Sequence, residues 1–272
     1  MRNREFVALL VLTALNVLVL AGLLVRAIAR GSLVFPDVYG YIRIIQLPER
    51  GIFASSNAAV VTASLVCLMY TLASTIILLH YFEKTQSSEV IFFAGFLCTT
   101  LIEGSRLFIP SIGMYTPINM LILDITKLTA SGRMIAPLLF LFAAILNGQE
   151  QRQHTGRNIA VLVCAVAIIG LTMPVNTIDI TSTLIYQFGY GYITTIYMLI
   201  VSAITAIAMA VTAVKSNTKE TLWETVGFSL LIAGYYLICL SDCWLLLVPG
   251  CMFLTAGTYL YLRNLHRQYM WN

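Results

Sequence analysis

Five charged side chains fall inside stretches that are otherwise hydrophobic. Glu103 and Arg106 lie in LIEGSRLF, Asp124 and Lys127 lie in LILDITKL, and Arg133 follows beside Ser131 and Gly132. A charge surrounded by hydrocarbon costs several kcal/mol unless it is paired or hydrated, so these groups are expected to seek one another. Two carboxylates with nearby cations could bind a polar ligand, relay a proton, or simply pin helices in register. In the first four, each cation follows its carboxylate at i+3, on the same helical face. If one helix runs to a turn near Pro110 and the next returns from Pro117, Glu103 and Asp124 are each seven residues from the turn. Both would then lie about 10 Å deep. The expected arrangement is a neutral four-membered network, with Glu103 facing Lys127 and Asp124 facing Arg106. Arg133, two turns further on, is expected to snorkel to the cytoplasmic side or to line the same cavity.

Other chemistry finds little support. His80, His154 and His266 all fall at predicted cytoplasmic helix ends, which argues against haem ligation or a histidine-rich metal centre within a membrane. There is no HExxH, GxSxG or P-loop pattern, and the six cysteines show no zinc-ligand spacing. No catalytic set, metal or cofactor is therefore expected.

The elements that must hold these charges are helices. The 272 residues are 59% hydrophobic and only 10% charged, with a mean hydropathy of +0.87. Soluble domains carry about 25% charged residues, so lipid is the expected solvent for much of this surface. Eight apolar segments approach the roughly 20 residues that a spanning helix needs: 6–27, 57–81, 89–109, 117–146, 157–175, 187–214, 222–240 and 244–263. The fold expected is all-α, a polytopic transmembrane bundle of eight spans forming one domain over 1–272. The count falls to seven if Ala27-Ile28-Ala29 marks a signal-peptide site, although a twenty-residue apolar run is long for one. The last two segments are joined only by Ser241-Asp242-Cys243, and Pro137 and Pro249 fall inside helices.

Charge in the connections sets an orientation. Lys84, Arg152, Arg157, Lys215, Lys219, Arg263 and Arg267 mark one side, whereas 110–116, 176–186 and 241–243 hold no lysine or arginine. By the positive-inside rule both termini are cytoplasmic, in a cell membrane. The connection 28–56 departs from the rule with Arg30, Arg43 and Arg50, and its apolar VYGYIRIIQLPERGIF is expected to lie on the membrane surface. Tyr186, Tyr190 and Tyr192 read as an aromatic belt, Ser202, Ala206 and Ala210 as a small face for close helix packing, and Glu224 as interfacial.

Two functional classes follow. A receptor-like or scaffold module would act with a cytoplasmic or membrane partner; a small permease would move a polar solute or protons past the charges. The bilayer is the expected partner in both, and the modest net charge of +4 offers no patch suited to nucleic acid.

Overall fold

The structure, a computed structural model, describes residues 2–30, 51–82, 88–112, 120–146, 155–189, 191–216 and 219–270. Nearly all of these residues are helical: α1 (Arg2–Ala29), α2 (Asn57–Phe82), α3 (Ser88–Gly104), α4 (Phe108–Ile112), α5 (Met120–Leu146), α6 (Thr155–Thr172), α7 (Gly191–Ser216), α8 (Lys219–Cys239) and α9 (Trp244–Met270). A single 3-10 turn, Ser105–Leu107, carries α3 into α4, so each of the eight apolar segments corresponds to one helical rod. Among the described residues, seven helices are long and apolar enough to cross a membrane, and α6 is a shorter apolar helix. The surface-lying stretch expected at 28–56 falls mostly outside the described residues.

Apolar side chains cover the outside as well as the core. Leu18, Val25, Ile168, Leu171, Ile196, Ile207 and Met252 are all exposed, whereas Thr71, Thr75, Thr100, Thr126 and Thr129 are fully buried. Water would not tolerate that distribution over so large an area; hydrocarbon would. With polar groups turned inward, hydroxyls tie helices together. Thr71 and Thr100 join α2 to α3 at 2.7 Å, and Tyr70 and Thr258 join α2 to α9 at 2.6 Å.

The tightest pair is α8 with α9, and glycines explain it. A Cβ at Gly234 would collide with the backbone nitrogen of Leu254, and one at Gly257 with that of Leu231. Removing those side chains lets the two backbones touch, which gains dispersion contacts where no hydrophobic effect operates between helices. Beside this seam the rings of Phe93, Phe96, Phe140, Phe228, Tyr235 and Tyr261 interlock α3, α5, α8 and α9. The α8–α9 turn does not stand clear of the bundle. Ser241, Asp242 and Cys243 are buried, and the Ser56 amide donates to the Asp242 carbonyl at 2.8 Å.

One element departs from the all-α expectation. Pro174 stops the helix earlier than the predicted limit of 175, and a hairpin follows, β1 (Val175–Ile180) against antiparallel β2 (Tyr186–Phe188). Its sequence, VNTIDITSTLIYQF, is rich in β-branched residues, which favour strand over helix. The hairpin tip folds inward, burying Thr181 to Tyr186, with Leu184 held at φ 67°. The Tyr186 amide donates to Thr126 Oγ1 of α5 at 3.1 Å. Tyr186 is therefore a packing residue and not part of an aromatic belt; Tyr192 is exposed, and Tyr190 lies outside the described residues.

Candidate functional site

Local geometry at the end of α3 creates the site. The Ser105 hydroxyl donates back to the Ile102 carbonyl at 2.6 Å, and the chain tightens into the 3-10 turn. With three residues per turn, positions i and i+3 eclipse, which stacks Arg106 over Glu103. Gly104 lies against Leu68 of α2, and Gly132 against Ile102, so α2, α3 and α5 converge around this point.

Three ionised groups meet there. Arg133 of α5 grips Glu103 with a fork, Nε to Oε2 at 3.0 Å and Nη2 to Oε1 at 2.6 Å. Arg106 Nε lies 3.0 Å from the same Oε1. Both arginines also reach the Cys239 carbonyl, the last residue of α8, Arg133 Nη2 at 2.9 Å and Arg106 Nη1 at 3.4 Å. Helix C-termini expose carbonyls without intrahelical partners and carry partial negative charge, so two guanidinium groups cap α8 favourably. Glu103 and Arg106 are fully buried and Arg133 nearly so. One carboxylate against two guanidinium groups leaves the trio formally at +1, and Arg106 Nη2 is buried without a hydrogen-bond partner.

The proposed pairing across α3 and α5 is thus corrected. The structure brings Glu103, Arg106 and Arg133 together and leaves Asp124 and Lys127 elsewhere. Asp124 is exposed on α5, four residues from its first residue, where a charge costs little if headgroups lie nearby. Lys127 Nζ donates to the Leu171 carbonyl at 2.9 Å and so caps the end of α6. The reason is angular. Asp124 and Arg133 are nine residues apart, about two and a half helical turns, which puts them on opposite faces of α5. Depth alone matched Asp124 with Glu103; the face that turns inward carries Thr126, Thr129 and Arg133. Arg133 accordingly does not snorkel.

Beside this centre lies a cavity of about 530 Å³, bounded by α5, α7, α8 and the hairpin. Its walls are mainly apolar, including Ile185, Phe188, Met198, Leu199 and Ile232. Arg133 is the one charged residue lining it among the described residues. Arg133 spends Nε and Nη2 on Glu103 and Cys239, and Nη1 makes no hydrogen bond. Ser202 and Ala206 border this space, so the small face predicted for helix packing instead makes room between α7 and α8. The Ser202 hydroxyl donates to Tyr236 Oη at 3.2 Å across that gap.

Sequence reasoning missed the Cys239 carbonyl, which carries no side-chain signal. Glu224, near the start of α8, is buried and shares a small pocket with Glu89 in the first turn of α3. Among the described residues no group of three histidine, cysteine or acidic side chains is placed to hold a metal. No protein-family model, curated protein or solved structure matches this chain.

Proposed function

We propose that the chain is a receptor-like integral membrane module that holds a ligand in the cavity beside Arg133 and reports its presence to a separate protein. All eight helical rods span the bilayer of the cell membrane in this reading, as one domain, with both termini cytoplasmic and no role for nucleic acid. Retention of α1 as a span is supported by Leu20, which packs fully buried with Leu68, Leu101 and Leu107. The observation that carries the proposal is the cavity itself. It falls within the 300–1,000 Å³ of ordinary ligand sites, and a cationic donor locked in one orientation lines an otherwise apolar wall. Preorganisation of that kind lowers the entropic cost of binding. A sensor also needs an element that responds, and the hairpin suits this role because Ile185 and Phe188 touch the cavity while Tyr186 holds α5.

A permease remains the second reading, favoured by one feature. Helix α3 is interrupted, and α8 ends, at the same buried centre, and half-helix ends of this type form solute sites in transporters. Reconstituted proteoliposomes separate the two. The receptor reading expects a small molecule retained through purification from native membranes, lost on Arg133→Gln, and no solute or proton flux. Flux that disappears on Arg133→Gln establishes the permease instead.

A further inference from the structure

We propose that the cavity takes a fatty-acid-like amphiphile, entering sideways between α7 and α8 and setting its carboxylate against Arg133. This rests on the binding reading above and names the class of ligand.

The entrance is the first argument. Leu199 and Ala203 of α7, and Ser229 and Ala233 of α8, line the cavity and are also exposed on the flank of the bundle. The neighbouring surface carries exposed Ile196, Ile200 and Ile207. The opening thus gives onto the apolar surface of the protein, the side from which a molecule dissolved in bilayer would arrive. Three of the four lip residues are small, so a chain can slide between the helices without displacing a large side chain.

The wall chemistry is the second argument. A sugar or other polyol would bury many hydroxyls against apolar side chains that offer them no partner. A cation would meet Arg133. A long apolar body with one compact anionic head matches what is present. Two donors are available for that head: Arg133 Nη1, and the hydroxyl proton of Tyr236, whose oxygen already accepts from Ser202. The formal +1 of Glu103, Arg106 and Arg133 becomes neutral when one carboxylate joins them.

Depth selects the head. Arg133 is thirteen residues from each end of α5, about 20 Å along the axis in either direction. A phospholipid would have to pull its phosphate and glycerol far below the interface to reach it, whereas a free carboxylate carries no such bulk. The chain then extends along the groove between Met198, Leu199, Ile232 and Ala206.

The test is equilibrium binding of radiolabelled palmitate to the full chain in nanodiscs, with unlabelled palmitate and methyl palmitate as competitors. Saturable palmitate binding is expected, with methyl palmitate weaker by about tenfold or more because a charge-assisted hydrogen bond is lost. Ala203→Trp on the lip should abolish binding, and Tyr236→Phe should weaken it several-fold. Should Arg133→Gln fail to fold, these two variants carry the result. Equal competition by methyl palmitate overturns the carboxylate head and leaves the binding reading intact. Absence of saturable binding by either compound, or binding indifferent to Ala203→Trp, overturns the proposed occupant of the cavity.

Discussion

Replacing Glu103 by glutamine should destabilise the chain far more than removing either arginine it contacts. The substitution keeps the shape but raises the formal charge of the buried trio from +1 to +2, and it weakens the two Arg133 bonds and the Arg106 contact together. Removing one partner of a buried ion pair costs about 3–5 kcal/mol, most of it from the charges left behind. Arg133→Gln instead leaves Glu103 with Arg106, a neutral pair, and forfeits the fork and one bond to Cys239; about 1.5–3 kcal/mol is expected. Arg106→Gln keeps the fork and also deletes a guanidinium nitrogen that has no partner, so its cost should be about 1 kcal/mol. Reversible unfolding in mixed micelles of increasing sodium dodecyl sulfate fraction, followed by circular dichroism, gives the three values. The order Glu103, then Arg133, then Arg106 is the claim. If Arg133→Gln or Arg106→Gln proves the most damaging, the charge accounting at this centre is wrong.

Asp124→Asn should change stability by less than about 0.5 kcal/mol, as for other exposed positions, and a large effect in the same unfolding assay would return Asp124 to the buried network. Gly234→Ala should cost about 1–3 kcal/mol by forcing α8 from α9, whereas Gly22→Ala, with no atom near its added Cβ, should be silent; equal effects would refute the close seam. Thr126→Val removes one acceptor of the Tyr186 amide, at about 0.5–1.5 kcal/mol. Hydrogen exchange at residues 181–188 should accelerate in that variant while α8 and α9 stay protected. Cys164, exposed midway along α6, should resist a charged maleimide in intact membranes and react after denaturation; labelling from water would show that α6 does not span.

Helix positions were legible because burial in lipid demands long unbroken apolar runs, and every such run proved helical. Ends were less so: α9 runs on to Met270 beyond the expected 263, and beside the hairpin β-branched residues remain apolar while ceasing to be helical. At the site, the local pair Glu103 and Arg106 could be read from an i+3 spacing. Arg133 could not be assigned, because its partner depends on the rotation of α5 about its own axis. Thr126, Thr129 and Arg133 share one face at helical spacing, and a polar stripe of that kind was the available signal. Ser202 and Ala206 show the opposite ambiguity. Small side chains permit close packing or leave room, and which occurs is decided by how far α7 is held from α8 by everything else.

The ionic centre has a structural origin that also accounts for its excess charge. Arg133, the midpoint of α5, reaches the final carbonyl of α8, and the α8–α9 turn that follows is buried against the start of α2. A buried chain reversal leaves helix-end carbonyls that need donors, and each one left unpaired costs about 1–3 kcal/mol. Arg106 and Arg133 supply donors to Cys239, but two guanidinium groups need more than the roughly half-charge of one helix terminus. Glu103 neutralises one of them. Its fork also fixes the Arg133 plane and leaves Nη1 without a hydrogen-bond partner. Register pin and proposed binding site are therefore one arrangement: the buried turn requires the arginines, and Arg133 leaves a positive group where an apolar space begins. Any ligand that displaced the fork would undo the cap on α8, so occupancy should be felt at the α8–α9 turn and, through the Ser56 bond to Asp242, at the start of α2.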